Sequence, residues 1–233
     1  IILADVGVLA YTASKHPDLR RHLSVQASAS NPEAIRFYQE EFDVKRVVLP
    51  RVLTLPEISA LNREIQVESE VFVFGGLCVM AEGRCALSSY VTGQSPNTNG
   101  VCSPACAVRY EDEGDRLVSR LADFTINTFA PGEAAGYPTL CKGRFIANGK
   151  TSYLFEDPVS LNAATMLQDL AAAGVSGLKI EGRQRGKAYV AKVVTSFRRS
   201  IDSTHDSNVE VDDLISVTEG QRRTAGAYDK TWR

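Results

Sequence analysis

Five cysteines are the residues of this sequence whose types and spacing most clearly indicate chemistry. All of them lie between positions 78 and 141, and the rest of the 233-residue chain contains none: Cys78, Cys85, Cys102, Cys106 and Cys141. Thiolates bind soft and borderline metals, and four thiolates complete the coordination shell of Zn²⁺ or of an iron–sulfur cluster. A secreted disulfide scaffold is usually shorter and has an even cysteine count. The pattern therefore favours a metal or cluster site, with buried, unreactive thiols as the alternative.

The spacing of the cysteines argues against a zinc knuckle, in which ligands come in closely spaced pairs. Only Cys102 and Cys106 are that close, and the three histidines lie outside the cysteine region, at positions 16, 22 and 205. Cys78 and Cys85 are seven positions apart (85 − 78 = 7), and seven helical residues rise about 10 Å. Ligation of one cluster by both thiols therefore predicts a loop or a broken helix near Gly83, whereas two buried thiols would fit a regular helix.

Signatures of hydrolytic enzymes are missing from the sequence. It contains neither an H-E-x-x-H nor a G-x-S-x-G motif, the patterns typical of zinc proteases and serine hydrolases. Cysteines committed to a cluster cannot also serve as free nucleophiles. A peptidase interpretation therefore receives little support from the residues.

Composition and charge exclude other classes. A hydrophobic content of 44% and a charged content of 23% are ordinary for a globular protein. The net charge of −2 gives no electrostatic reason to expect a nucleic acid or an anionic membrane surface. No apolar run approaches the roughly 20 residues that span a bilayer. Because the chain begins at Ile1 inside a strand-like run, we also expect an N-terminal part of the protein to be missing.

Strand-like and helix-like segments alternate over the first 75 residues. Asn31 followed by Pro32 predicts the start of one helix, and the capping box from Thr54 to Glu57 predicts another. We predict strands at 1–9, 22–28, 45–51 and 71–74, and helices at 11–20, 33–42 and 54–65. Alternation of this kind indicates parallel βαβ units. The alternation predicts an α/β fold of the TIM-like (β/α) barrel type, with a doubly wound sheet as the alternative. Because a complete barrel takes about 250 residues, the units found here would form only part of one.

The pattern divides the chain into four segments. Residues 1–75 form partial barrel units, and residues 76–157 form a cysteine-rich insertion late in the barrel, with a hairpin turn at Asn148-Gly149. The alternation returns in 158–202, where we predict a helix from Asn162 to Ala173, a strand at 175–180 and a helix at 187–201. Residues 203–233 are polar and predicted to be a peripheral tail.

Several side chains are predicted to follow strands, where parallel barrels collect their functional groups. By that rule Arg51, Glu181 and Arg183 are candidate catalytic residues, and Gln26 is a further candidate at the barrel mouth. The alternatives are structural: Arg51 pairs with a nearby acid, and Glu181 with Arg183. Lys142 and Arg144 are predicted to flank the cluster, with a solvated hairpin edge as the alternative. Tyr90 and Tyr137 fit a redox relay and core packing equally well.

Four segments of the sequence resemble one known family. They read EVFVFGGLCVMAEGRCALSSY (70–90), SVQASASN (24–31), VVLPRVLTLPEI (47–58) and LKIEGRQR (178–185). These are similar to signatures of the collagenase-like peptidase family, whose members have TIM-barrel-like folds. The segments TGQSPNTNGVCSPA and FAPGEAAGYPTLCKGRF resemble in particular the branch of that family that acts in ubiquinone biosynthesis.

The resemblance implies a specific cofactor and specific partners. It implies a [4Fe-4S] cluster held by Cys78, Cys85, Cys102 and Cys141, with Cys106 as an alternative fourth ligand. It further implies a cytoplasmic, oxygen-independent hydroxylase of ubiquinone precursors, working as a heterodimer with the protein UbiV and with UbiT as accessory. Three alternatives stay open: hydroxylation of ribosomal RNA, a non-catalytic subunit with a structural cluster, and a peptidase.

Overall fold

The computed structural model describes residues 1–78, 80, 85–182, 185–203, 212–218 and 222–230. Its strands are β1 (Ile2–Leu3), β2 (Arg21–Leu23), β3 (Val44–Val48), β4 (Glu68–Gly76), β5 (Val108–Glu113), β6 (Arg116–Leu121), β7 (Phe124–Phe129), β8 (Arg144–Ala147), β9 (Lys150–Tyr153), β10 (Ser160–Asn162), β11 (Gly177–Ile180) and β12 (Arg223–Thr224). Its helices are α1 (Val6–Lys15), α2 (Pro32–Phe42), α3 (Leu55–Glu64), α4 (Ala86–Thr92), α5 (Pro96–Asn99), α6 (Leu167–Ala172) and α7 (Lys187–Asp202).

The chain divides into two compact units. The first contains Ile1–Leu77 and Val159–Arg233, and the second contains Cys78–Pro158. In the described part of the chain, no helix is both long enough and apolar enough to cross a bilayer.

The first unit is built on a parallel sheet. Strands β1, β2, β3 and β4 lie side by side in chain order, joined by α1, α2 and α3, and β11 pairs in parallel with β4. The short β10 runs antiparallel to the end of β4, and β12 pairs with β10. The predicted α/β class with a parallel sheet is therefore confirmed. Among the described residues the sheet stays open, so a closed barrel is not shown.

The first predicted strand is wrong over most of its length. Only Ile2 and Leu3 are in β1, because Asp5 begins a helix where the sequence predicted continued strand. The Asp5 carboxylate accepts a hydrogen bond from the Val8 backbone N–H at 2.9 Å, an N-cap contact. A short apolar run fits a buried strand and a buried helix equally well, and here the cap decides between them.

Two other predicted helix starts in the first unit, at Asn31 and Thr54, are confirmed, whereas the helix predicted from Asn162 begins only at Leu167, because Asn162 is the last residue of β10. Asn31 caps α2 through the Ala34 N–H at 2.8 Å. Thr54 and Glu57 form the reciprocal capping box of α3, with the Thr54 N–H donating to Glu57 Oε2 at 2.7 Å. The segment predicted to follow β2 as more strand instead turns into a short 3₁₀ helix, Val25–Ala27.

The core of the first unit surrounds β4. Val71, Phe72, Val73 and Phe74 are all buried, so this strand is covered on both faces. Residues 203–233, predicted to be a peripheral tail, contribute to that core: Leu214 and Tyr228 are buried in it, and the Tyr228 hydroxyl donates to the Phe72 carbonyl. The tail prediction is therefore wrong for these residues, because two large apolar side chains separated by polar sequence leave no periodic pattern to recognise.

The second unit contains a sheet that the sequence did not predict. Strands β5, β6 and β7 form a three-stranded antiparallel sheet within the segment expected to be irregular. Val91, Leu121 and Ile126 form its small core. The predicted hairpin is confirmed: β8 pairs with β9, and Asn148 and Gly149 take the positive φ values of 51° and 73° that a tight hairpin turn requires.

Candidate cysteine site

All five cysteines belong to the second unit, and no disulfide joins any two of them. Cys78 and Cys106 are exposed, whereas Cys85, Cys102 and Cys141 are partly buried. The Cys78 thiol donates to the Met80 carbonyl at 3.6 Å. The cysteine site therefore lies within one unit.

Cys85 lies at the start of α4 rather than within a helix. Its backbone is extended (φ −84°, ψ 102°), and its Sγ accepts a hydrogen bond from the Ser88 N–H at 3.3 Å. Cys78 and Cys85 therefore do not lie on one regular helix. This agrees with the condition that ligation of one cluster by both thiols would impose. Gly83, at which we predicted the bend, lies outside the described residues.

Ser88 links Cys85 to Cys102. Its backbone N–H faces the Cys85 sulfur, and its hydroxyl donates to the Cys102 carbonyl. The residue is buried, with 3% of its surface exposed. Ser88 was not among the predicted site residues; its only signal in the sequence is a serine three positions after a cysteine, the spacing of a capping contact.

Cys141 is held against α4 by apolar packing. It lies in a short 3₁₀ turn, Leu140–Lys142, and Leu140 packs against the core formed by Val91, Leu121 and Ile126. Val91 belongs to α4, the helix that Cys85 caps. The Cys141 carbonyl also accepts a hydrogen bond from the Glu156 N–H at 3.1 Å. The small core thus brings the turn of Cys141 to the helix of Cys85.

The thiol of Cys141 is strongly biased toward its neutral form. Burial raises its pKa to about 12; Lys142 opposes this effect, while Glu156 and the thiols of Cys78 and Cys102 add to it. Several thiolates in such a place repel one another unless a cation lies among them.

Tyr137 and Arg144 tie the surrounding loops together. The Tyr137 hydroxyl donates to the Ser103 carbonyl at 2.8 Å, joining the segments that precede Cys141 and follow Cys102. Arg144 forms an ion pair with Glu133 at 2.9 Å and donates to the Thr128 carbonyl at 2.7 Å. Tyr90 is 82% exposed, so it is not a core residue.

The donor atoms suit an iron–sulfur cluster in chemical type. Thiols are the donors such clusters use, and residues 78–158 contain no histidine. Among the described residues, no three His, Cys, Asp or Glu side chains converge closely enough to form a metal shell. Residues 79 and 81–84, between two of the predicted ligands, lie outside the described set. The cysteine ligand set therefore stays a prediction.

Two of the three candidate catalytic residues, Arg51 and Glu181, lie in the first unit at the carboxyl ends of its strands. Arg51 follows β3 and places its guanidinium carbon 3.5 Å from the centre of the Phe72 ring. Its charge also acts on the buried phenol of Tyr228, whose pKa burial raises and Arg51 lowers in part. Gln26 lies in the 3₁₀ turn after β2. The proposed pairing of Glu181 with Arg183 is untested because Arg183 lies outside the described residues.

Glu181 follows β11 and lies against the end of β4. Its backbone N–H donates to the Phe74 carbonyl at 2.8 Å. A Cβ at Gly75 would lie 2.5 Å from the Glu181 Cβ, and the Gly75 φ is +129°. Only glycine fits both the backbone angle and this close approach, so the position of Glu181 depends on Gly75.

Residues 1–226 match the model of Peptidase family U32. The chain belongs to this family. It is 31% identical to tRNA hydroxylation protein P of Escherichia coli strain K12, over 94% of this chain and 52% of that protein. It is 27% identical to the 23S rRNA 5-hydroxycytidine C2501 synthase of the same organism, over 95% of this chain and 28% of the relative. It is also 27% identical to a collagenase of Porphyromonas gingivalis strain W83, over 87% of this chain and 44% of that protein.

These comparisons confirm the predicted family and correct the finer resemblance. The sequence segments resembled the ubiquinone-biosynthesis protein UbiU, a different member of this family, whereas the relatives found at about 30% identity are named for tRNA hydroxylation. The chain spans about half the length of the curated relatives it matches, 52% of the first and 48% of the second. No solved structure matches the chain.

Proposed function

We propose that this chain is the iron–sulfur component of a hydroxylase, with a [4Fe-4S] cluster held by Cys78, Cys85, Cys102 and Cys141. The observation that carries the proposal is the packing of three cysteine-bearing segments around α4: Ser88 joins Cys85 to Cys102, and Leu140 packs the turn of Cys141 against the core that includes Val91. A bound cluster would supply the cation that lets these thiols ionise together, and it would supply electron transfer. Cys106, exposed in its own short turn, is the alternative fourth ligand.

The names of two relatives support hydroxylation of a planar, unsaturated ring as the reaction. One relative is a tRNA hydroxylation protein and another is a 5-hydroxycytidine synthase. An RNA base is therefore the first candidate substrate. Since the chain spans about half of the first relative, the remainder of such a protein is the place to expect an extended RNA-binding surface.

A ubiquinone-precursor ring is the second candidate substrate, with UbiV and UbiT as partners and without dioxygen. The net charge of −2 favours it, because binding of a long RNA depends on basic residues that neutralise phosphates. The sequence segments around Cys102 and Cys141 favour it as well. Both candidates share the same ring chemistry and differ in what carries the ring.

The first unit is the proposed substrate-binding part. Its strands β1 to β4 follow one another in chain order, as they do in a (β/α) barrel and not at the reversal point of a doubly wound sheet. Arg51 follows β3 and Glu181 follows β11, at the carboxyl ends of parallel strands, where barrel enzymes bind substrate. Arg51 suits an anionic group, such as a phosphate or a ring carboxylate.

Purification of the full-length protein under anaerobic conditions tests the cluster. We expect a brown protein with a broad absorption band in the visible range and with iron and acid-labile sulfide in equal amounts. A colourless protein with stoichiometric zinc would contradict the proposal. Peptidase activity toward gelatin in the metal-free protein would favour the collagenase-like alternative instead.

Product analysis in a deletion strain of the source organism separates the two substrates. Nucleosides from tRNA and rRNA and the quinone pool are measured by mass spectrometry, with and without dioxygen. Loss of a hydroxylated nucleoside supports the RNA candidate, and loss of ubiquinone under anaerobic growth supports the ring precursor. A strain that loses neither product contradicts the hydroxylase proposal.

A further inference from the structure

Ser88 contacts two of the predicted cluster ligands through two different groups. Its backbone N–H donates to Cys85 Sγ at 3.3 Å, and its side-chain hydroxyl donates to the Cys102 carbonyl. Cys85 and Cys102 are separated by 17 positions (102 − 85 = 17). The buried hydroxyl is therefore a contact between two chain segments, and not a bond internal to α4.

The neighbouring serine shows the difference. The hydroxyl of Ser89 donates to the Cys85 carbonyl four residues earlier, at 2.9 Å, which is an ordinary bond within one helical turn. It fixes no second segment. Ser88 alone of the pair joins the start of α4 to the loop that carries Cys102.

We propose that Ser88 is a positioning residue of the iron–sulfur site: its hydroxyl fixes the Cys102 loop against α4, and its amide stabilises the Cys85 thiolate. The inference rests on the proposed function. Hydrogen bonds to cluster sulfurs and to the backbone around the ligands set both metal retention and reduction potential. A hydrogen bond to a thiolate stabilises the more negative, reduced cluster, so Ser88 keeps the reduction potential high.

The Ser88→Ala variant removes the contact to Cys102 with the smallest change of volume. The amide bond to Cys85 Sγ remains in this variant, but the Cys102 loop is no longer fixed. We therefore expect iron loss to a chelator to become about tenfold faster or more, and the electron paramagnetic resonance spectrum and the midpoint potential of the reduced protein to shift as Cys102 moves. A purely structural serine would leave the spectrum and potential of the remaining clusters unchanged. Ser88→Thr keeps the hydroxyl, so we expect iron retention and the spectrum to return toward those of the wild type.

Two controls separate this role from general loss of stability. Ser89→Ala removes a hydroxyl of the same helix, and Ser119→Ala removes a hydroxyl that is fully buried in β6 and has no hydrogen-bond partner in the described structure. Both variants should keep wild-type spectra. If Ser88→Ala keeps the wild-type chelation rate and potential, or if a folded Ser88→Thr loses the cluster, the inference is wrong. A wild-type protein without iron would instead contradict the proposed function itself.

Discussion

Cys141 is the residue on which the ligand assignment depends most. Leu140 packs its turn against Val91 of α4, the helix that Cys85 caps, whereas Cys106 lies in a separate 3₁₀ turn. At the scale of single residues we therefore expect Cys141→Ala to lose most of its iron and Cys106→Ala to retain it, because three thiolates leave one iron of a four-iron cluster without a protein ligand. Iron and sulfide content per chain is the measurement. Iron that survives in Cys141→Ala but disappears in Cys106→Ala would show that Cys106 is the fourth ligand.

Arg51 is the candidate substrate residue that the structure supports best, because its guanidinium stacks on Phe72 at the end of a parallel strand. We expect Arg51→Ala to lower product formation by about tenfold or more, through loss of a fixed positive charge, and to leave the iron content unchanged, since the cysteines belong to the other unit. Product per chain and iron per chain are measured together.

Arg63→Ala, at an exposed position of α3, is the control for the loss of an arginine and should behave like the wild type. Full activity in Arg51→Ala would exclude a substrate role. Loss of iron in that variant would indicate that its effect on activity comes from the cluster site.

At the scale of elements, the turn after Cys141 depends on a glycine. A Cβ at Gly143 would lie 2.6 Å from the Phe145 ring and 3.0 Å from the Ile126 carbonyl oxygen. We expect Gly143→Ala to lower the free energy of unfolding by about 1–3 kcal/mol, because the ring and the backbone of β7 must both move. Chemical denaturation measures this, and iron retention should fall in parallel because Cys141 is two residues away.

Gly136→Ala is the matched control for that substitution. A Cβ there meets no heavy atom within 4 Å, so its unfolding free energy should stay within about 0.5 kcal/mol of the wild type. Equal stabilities of the two alanine variants would show that the turn tolerates a side chain and that the contact at Gly143 does not fix the position of Cys141.

At the scale of the whole molecule, an ion-pair network makes stability depend on pH. Glu70 is buried between Lys179 at 2.9 Å and Arg46 at 3.2 Å, and it connects β4 to β11 and β3. Burial alone would raise the pKa of Glu70, but the two cations outweigh it, and its pKa lies below the ordinary 4.5. A carboxylate with a lowered pKa contributes stability that is fully present above its unfolded pKa and is lost as the pH falls through the folded value.

We therefore expect the free energy of unfolding to decrease below about pH 4.5, and Glu70→Gln to remove part of that decrease. At neutral pH the variant should be less stable by about 1–3 kcal/mol, because Lys179 and Arg46 lose the charge of their shared acceptor, although Arg46 keeps its ion pair with Glu68. Denaturation curves from neutral pH to about pH 3 measure both effects. Glu64→Gln, at the exposed end of α3, is the control; a constant gap between Glu70→Gln and wild type over that range would contradict the linkage.

The sequence by itself determined the features that depend on neighbouring residues. Asn31 and Thr54 start their helices where predicted, and Asn148-Gly149 turns its hairpin, because caps and tight turns are made within a few residues. The family, too, follows from sequence, through motifs that lie around Cys78 and Cys85. The sequence pattern predicted the wrong structure at Ile1–Leu9, where Asp5 caps a helix within an apolar run that resembles a strand. It also missed the strands in residues 108–129, because these three strands carry too many charged residues to be recognised.

Only the tertiary structure decided which distant residues meet. It joined Cys102 to the helix of Cys85 through the buried Ser88, packed the turn of Cys141 against α4 through Leu140, and returned Tyr228 from the predicted tail to the core beside Phe72. The physical reason is common to all three. Burial of apolar side chains and pairing of polar groups depend on the packing of segments far apart in the chain, and no pattern within one segment records its partner.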